Sequence, residues 1–266
     1  MSERDRAALR HIEATYQLLD GWRARSRSPE RPEQGSELEA DAQVWTWHPP
    51  YEVARQSLIA AVQHLNLART AIEAHEVYPT SHFTVLRGAL VGAAQGVWLL
   101  ATDDATERQQ RALRVIDEWY RRREQYNNSV ASADLSDLDR TKLHNQTRHL
   151  QERRCQARQL WTRTDTLGAD ERLNLTSVIT WASADTFTDP AQRSEVKLLW
   201  NLMSGDAHAL GWSLTLRGRE WAKDRDGLGV AAAPGDLLDV AQPYVASFRL
   251  AKRGWSLFDR RAEGTG

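Results

Sequence analysis

Apolar residues recur along this chain at the spacing of one face of an α-helix. Between residues 54 and 75 their steps alternate between four and three, which gives seven positions: Ala54, Leu58, Ala61, Leu65, Ala68, Ile72 and His75. The same alternation returns near the C-terminus: Leu237, Ala241, Tyr244, Phe248, Ala251, Trp255 and Phe258. Such spacing places the apolar side chains on one helix face. We therefore predict two long amphipathic helices that pack together, within one chain or between chains.

A third apolar segment, from Thr84 to Ala101, predicts a closely packed core helix. It carries Gly88, Gly92 and Gly96 at intervals of four, so one stripe of the helix has no side chains. Such a stripe lets another backbone approach closely. The segment is nearly long enough to span a membrane, but Arg87 and Gln95 interrupt it. Because an arginine at the centre of a bilayer costs about 2.5–3.5 kcal/mol, we favour a buried helix and expect no membrane contact.

Shorter periodic segments predict the remaining elements of a mainly all-α fold, a bundle of about eight or nine helices. These helices are expected at 3–25, 104–126, 135–161, 171–184 and 190–203. The 135–161 helix has a thin apolar stripe and should be largely exposed. Periodicity fails between 212 and 233, where the turn signal Asp224-Arg-Asp-Gly227 allows a small β-hairpin.

The same pattern predicts the domain organisation. Residues 1–25 form an N-terminal helix, residues 26–50 form a proline-containing linker, and residues 51–260 form one helical domain. Two tryptophans end the linker, Trp45 and Trp47, and we interpret them as an anchor on the core. An aromatic platform for a ligand is the alternative.

Composition narrows the class of protein. The chain has 266 residues, is 41% hydrophobic and 27% charged, and carries a formal net charge of −1. Its mean hydropathy is −0.61, as in ordinary globular proteins. Cys155 is the one cysteine, which excludes an internal disulfide. The first residues contain no apolar leader segment, so we expect a cytoplasmic protein.

Familiar catalytic and cofactor motifs are absent from the sequence. None of the eight histidines follows a glutamate by three positions, and there is no His-Glu-x-x-His. Phosphate-binding, dinucleotide-binding and nucleophile-elbow glycine patterns are also missing. Pairs with the spacing Arg-x(4–6)-His, as in some all-α ribonucleases, do occur, but no more often than chance gives. We therefore predict no metal and no cofactor.

Residues 107–163 form a locally basic segment. It holds 13 Arg and Lys against eight Asp and Glu, an excess of five in a chain whose net charge is −1. A basic face of this kind can follow the phosphates of a nucleic acid. A charged, solvated helix face is the commoner cause, and we find no aromatic residues interleaved with the basic ones. Both interpretations stay open.

A polar group of residues follows the predicted helix at 190–203. Ser204, Asp206 and His208 lie within five positions at its end. A catalytic triad needs the histidine between the other two side chains in space, which such local spacing rarely provides. A capping serine and a helix-end histidine are the simpler interpretation.

Two segments resemble a family of uncharacterised actinobacterial helical proteins. The first is Val85-Leu-Arg87-Gly-Ala-Leu-Val91-Gly-Ala-Ala-Gln-Gly-Val-Trp98-Leu-Leu, and the second is Leu199-Trp-Asn-Leu-Met-Ser204-Gly-Asp-Ala-His208. The resemblance covers these two helices firmly and residues 51–260 loosely. It implies an architecture in which Arg87, Ser204 and His208 form one polar cluster, and it implies no particular activity.

This chain departs from that family at two positions. Val91 stands where the family has a glutamate four residues after the arginine, and Ala209 stands where it has a glycine after the histidine. Losing the glutamate removes an i,i+4 partner of Arg87. Arg87 is then left to Gln95, to Asp206 or to an anionic ligand.

Three functional hypotheses follow. The first is a binding or assembly protein, either a homo-oligomer or one with another protein partner, whose polar pocket is formed by Arg87, Gln95, Asp206 and His208. The second is an RNA-cleaving toxin or defence effector, in which His208 is the general acid or base and Arg87 stabilises phosphate charge, with Ser204 as a further catalytic candidate. The third is a small-molecule site in the same pocket.

Overall fold

A computed structural model describes residues 2–162, 172–217, 220–223, 229–232 and 236–264. It confirms the all-α fold class. The helices are α1 Glu3–Glu13, α2 Tyr16–Arg25, α3 Glu37–Asp41, α4 Pro50–Glu73, α5 Pro79–Leu100, α6 Ala105–Ala131, α7 Asp137–Thr162, α8 Leu175–Thr186, α9 Pro190–Ala207, α10 Trp212–Thr215 and α11 Leu237–Ala262. Two short strands, β1 Glu220–Lys223 and β2 Gly229–Ala232, pair antiparallel inside the interval expected to hold a hairpin. The predicted turn between them lies outside the described residues.

The helix predicted at 3–25 is two helices. α1 begins with the expected capping box, in which Ser2 and Asp5 exchange hydrogen bonds. It ends at Glu13, because the Thr15 amide and hydroxyl both donate to the Ile12 carbonyl, at 2.9 and 2.6 Å. These tight bonds replace the regular helical pattern, and the chain restarts as α2.

The chain divides into two compact units. Unit 1 comprises Met1–Glu30, Arg55–Ala101 and Leu175–Arg260, and unit 2 comprises Arg31–Ala54, Thr102–Asn174 and Arg261–Gly266. This division differs from the helix, linker and single domain expected from the sequence. The segment interpreted as a linker holds α3 and belongs to unit 2, where Asp41 is buried in an ion pair with Arg108 at 2.7 Å.

Unit 1 confirms the close approach predicted from the glycine stripe of α5. A Cβ atom at Gly92 would lie 2.5 Å from the Ser57 carbonyl oxygen and 3.0 Å from the Ala61 amide nitrogen, both on α4. The side chain of Leu58, also on α4, lies against Gly96 of α5 and Gly254 of α11. The two helices with seven-position seams therefore meet at Leu58 within one chain.

The seam on α4 is buried at six of its seven positions. The exception is His75, which is exposed and has φ 60°. Its amide donates to the Ile72 carbonyl, and the Glu76 amide donates to the Ala71 carbonyl. This pair of bonds is a Schellman motif, which ends the helix with a residue in the left-handed region. Including His75 in the seam was therefore wrong.

α5 is the most apolar helix. Its residues Thr80–Leu100 are long and apolar enough to cross a membrane by length and composition alone, and 61% of that window is buried inside the structure. α5 packs against α8 and α9 within unit 1. This burial is typical of a core helix. The packing of α5 against α9 places Arg87 at that contact.

In unit 2, α6 and α7 form an antiparallel pair held by polar contacts. Arg154 Nε on α7 donates to Asp117 Oδ1 at 2.8 Å, and its Nη1 donates to Glu124 Oε2 at 3.2 Å. Farther along, Asn127 donates to the Thr147 hydroxyl at 3.1 Å. α7 is largely exposed, as its thin apolar stripe predicted.

Candidate functional site

Arg87 lies on α5 and faces α9. Its Nε donates to the Ser204 hydroxyl at 3.2 Å. Its guanidinium carbon lies 4.6 Å from the centre of the Trp200 ring. Trp200 and Ser204 are one turn apart on α9, so both face the same arginine. The structure thus joins two residues that are 117 positions apart in the sequence.

The charge of Arg87 is not balanced by any carboxylate of the described residues. The residue is half-buried, and the loss of water contacts lowers the pKa of its guanidinium. Within the described part of the chain, no aspartate or glutamate lies within ion-pair distance of it. Val91 occupies the i+4 position, where a glutamate would reach the guanidinium.

Ser204 is held by two hydrogen bonds. Its hydroxyl accepts from Arg87 and donates to the Trp200 carbonyl at 2.8 Å. The proton of the hydroxyl is therefore directed into α9 rather than toward a base. This arrangement orients an acceptor toward Arg87, and it does not prepare a nucleophile.

Asp206 is paired with a residue that the sequence analysis missed. Its carboxylate Oδ1 accepts from Nη2 of Arg217, and both side chains are buried. The guanidinium of Arg217 also lies 4.0 Å from the centre of the Phe83 ring, one turn before Arg87 on α5. Oδ2 of Asp206 is buried without a hydrogen bond. Asp206 is therefore used by Arg217 and does not neutralise Arg87.

Arg217 could not be found by helical spacing. It follows Asp206 by 11 residues, past the end of α9 and the short α10. Trp200 was visible in the sequence as a neighbour of Ser204, because residues four apart share a helix face.

Among the described residues, neither Gln95 nor His208 forms a hydrogen bond with Arg87. The Gln95 amide donates to the Ser57 hydroxyl at 2.8 Å, so it belongs to the contact between α4 and α5. His208 is the exposed C-cap residue that follows α9, and its backbone amide donates to the Ser204 carbonyl. Of the side-chain hydrogen bonds among described residues, none involves the His208 ring. Of the five predicted site residues, the structure therefore joins Arg87 and Ser204 directly.

The backbone after His208 explains why a glycine would suit the next position. Ala209 has φ 54°, in the left-handed region that favours glycine. Its amide donates to the Asp206 carbonyl, and the Leu210 amide donates to the Gly205 carbonyl. These bonds form a second Schellman motif at the end of α9. The glycine of the family pattern therefore fits a helix cap rather than a reaction.

An exposed apolar segment begins beside this cap. Its members are large apolar residues with much of their surface in contact with solvent: Leu210, Trp212, Leu214 and Leu216. The Trp212 ring packs on Gly205, where a Cβ atom would lie 2.7 Å from the ring. The Trp212 ring therefore contacts α9 at the residue that follows Ser204.

Comparisons of the chain with models of protein families, with curated proteins and with solved structures found no match. The resemblance to actinobacterial helical proteins therefore stays a prediction. The function must be argued from the geometry of unit 1 and unit 2.

Proposed function

We propose that this protein is a binding protein, and that unit 1 receives an acidic, apolar segment of a protein partner at Arg87. One observation carries the proposal: Arg87 is half-buried, and no carboxylate of the described residues lies within ion-pair distance of it. A guanidinium in this state is stabilised by an oxyanion, which it can hold with two parallel hydrogen bonds.

The contacts that Arg87 already makes support this role. The stack on Trp200 is worth about 0.5–2 kcal/mol and fixes the plane of the guanidinium. The bond from Nε to Ser204 uses one donor and leaves the outer nitrogens for a ligand. A pre-oriented arginine loses little side-chain entropy when it binds an anion.

The exposed residues from Leu210 to Leu216 indicate the second half of the ligand. Apolar side chains that remain in water favour a partner that covers them. A partner segment with a carboxylate next to apolar side chains would satisfy both Arg87 and this surface. A second copy of the chain would also be such a partner, which makes the oligomeric state part of the test.

The observations favour binding over RNA cleavage. Cleavage by the predicted mechanism requires His208 to exchange a proton close to Arg87. His208 is exposed, and its described hydrogen bond is made by the backbone. The Ser204 hydroxyl, the other candidate, already donates to α9.

Calorimetric titration with acetate and octanoate tests the proposal, with light scattering for self-association. We expect octanoate to bind more tightly than acetate, because its chain covers apolar surface at about 0.8 kcal/mol per buried CH2. Arg87→Gln should abolish both signals, and Arg122→Gln, on an exposed side chain of unit 2, should change neither. Equal binding by wild type and Arg87→Gln would refute the proposal.

A further inference from the structure

A second surface, in unit 2, combines aromatic and basic side chains. α6 presents Trp119, Arg123 and Tyr126 at positions i, i+4 and i+7, which lie on one helix face. The expectation that the basic segment has no interleaved aromatics is therefore wrong for this face. A cleft of about 340 Å³ opens here, lined by His48, Trp119, Tyr120, Arg123, Gln146, His149 and Leu150.

The cleft contains positive and neutral groups but no carboxylate among its lining residues. On the preceding turn of α6, Arg121 and Arg122 share one carboxylate, that of Glu118, at 2.5 and 2.8 Å. Arg123 differs, because its Nε donates to the neutral Asn127 amide at 3.3 Å. Of the residues that line the cleft, Arg123 therefore has no carboxylate partner in the described part of the chain, whereas His149 lies 3.8 Å from Glu152.

Trp47 and Arg153 form a stacked pair beside the cleft. The guanidinium carbon lies 3.7 Å from the centre of the Trp47 ring, and the indole is 59% exposed. Nε of Arg153 is buried and has no hydrogen-bond partner. Burial lowers the pKa of His48, the residue after Trp47, and the charge of Arg153 lowers it further. Arg153 therefore lies close enough to His48, which lines the cleft, for its charge to act there.

The two tryptophans at the end of the 26–50 segment have different roles. Trp45 is buried and its indole donates to the Tyr120 hydroxyl at 3.3 Å, which is the anchor expected from the sequence. This contact fixes the chain so that Trp47 and His48 lie over α6 and α7. His48 lies 6.0 Å from the Trp119 ring and 5.7 Å from the Tyr120 ring, centre to centre.

We infer that this cleft binds the nucleotides of a single-stranded nucleic acid, with bases stacked on the exposed rings and phosphates held by Arg123 and Arg153. Aromatic rings alternating with arginines are the chemistry that single strands require, because every base has a face that can stack. The face from Trp119 to Tyr126 is about 10 Å long, at 1.5 Å per residue, which exceeds one base. A single strand can contact the whole length of this face, whereas a free nucleotide can contact only part of it.

Fluorescence anisotropy of a labelled single-stranded RNA of about eight nucleotides tests this inference. We expect Trp47→Ala and Arg153→Gln each to weaken binding about ten-fold, because each removes a base or a phosphate contact. Arg122→Gln is the matched control: it removes the same charge from α6, where the side chain is 70% exposed and paired with Glu118, and should change affinity less than two-fold. Circular dichroism checks that each variant is folded.

Two competitors separate the sources of the signal. Unlabelled RNA should displace the probe, and adenosine monophosphate should do so more weakly. Heparin carries charge but no bases, so it should displace less probe than RNA at the same concentration of negative charge. The inference is overturned if wild type does not bind RNA, if Trp47→Ala binds as wild type does, or if Arg122→Gln loses as much affinity as Arg153→Gln. Displacement by adenosine monophosphate as strong as by RNA would also overturn the assignment to a strand.

Discussion

Units 1 and 2 are both helical, but different forces hold them together. In unit 1, α4 and α5 approach so closely that glycine is required, and apolar residues such as Leu58 and Ala61 line most of the contact. In unit 2, α6 and α7 are joined by arginines and carboxylates, and a buried ion pair fixes α3. Close packing therefore makes unit 1 sensitive to added side-chain volume, whereas charge pairing makes unit 2 sensitive to the loss of a single ion-pair partner.

The largest expected effect is in unit 2. Asp41→Ala leaves Arg108 buried without its closest carboxylate, and breaking a buried pair in this way costs about 3–5 kcal/mol. We expect the lower end of that range, because Arg108 also contacts Glu37 at 3.0 Å. Chemical denaturation measures the loss. A change below about 1 kcal/mol would mean that unit 2 does not depend on this pair.

Unit 1 should respond most to added volume at the glycine stripe. Gly92→Ala places a methyl group against the backbone of α4, and we expect a loss of about 1–3 kcal/mol in the free energy of unfolding. Gly21→Ala on α2 is the matched control, since nothing lies within 4 Å of its added methyl group. That variant should gain up to about 1 kcal/mol from helix propensity. If Gly92→Ala and Gly21→Ala changed the free energy of unfolding in the same direction, the close approach of α4 and α5 would be contradicted.

A substitution at the α6–α7 contact should lower the free energy of unfolding by less, and the loss should depend on salt. Arg154→Met keeps the apolar stem but removes the bonds to Asp117 and Glu124, at a cost of about 1 kcal/mol. At about 1 M salt, where the Debye length is about 3 Å, the difference from wild type should shrink. The Gly92→Ala deficit should not shrink in the same titration, which sharpens the contrast between the units.

The smallest expected effect concerns pH in unit 1. His64 packs on Gly88, and burial lowers the pKa of its imidazole. A group with a lowered folded-state pKa contributes stability that is present above its unfolded pKa, near 6.5, and is lost as the pH falls through the folded value. Thermal melts between pH 7 and pH 5 should therefore show a smaller decline for His64→Gln than for wild type. An equal decline would assign the acid sensitivity to other groups.

The sequence predicts the core of unit 1 well because that core depends on residues close together in the chain. Steps of three and four place Leu58 and Ala61 on the buried face of α4, and glycines at intervals of four clear a stripe on α5. The end of α4 was misplaced at His75, because a left-handed cap on a residue other than glycine gives no local signal.

The candidate sites were less predictable because they depend on contacts between distant segments. The resemblance alone predicts the pair of Arg87 and Ser204, while Asp206, one of three expected partners of Arg87, pairs instead with Arg217. In unit 2, Trp47 and Arg153 are 106 positions apart, and no periodic pattern joins them. Periodicity predicts which face of a helix is buried, but it does not predict which charged residues pair with each other.

The Nε–H resonance of Arg87 tests the central claim, anion binding in unit 1, most directly. In an arginine-selective nitrogen–proton spectrum, assigned with Arg87→Gln, this signal should move progressively and saturate as octanoate is added. The signal of Arg122, paired with Glu118 in unit 2, should stay in place. If the Arg87 signal does not move, or moves no more than that of Arg122 does, then Arg87 is not the anion site and the proposed function is wrong.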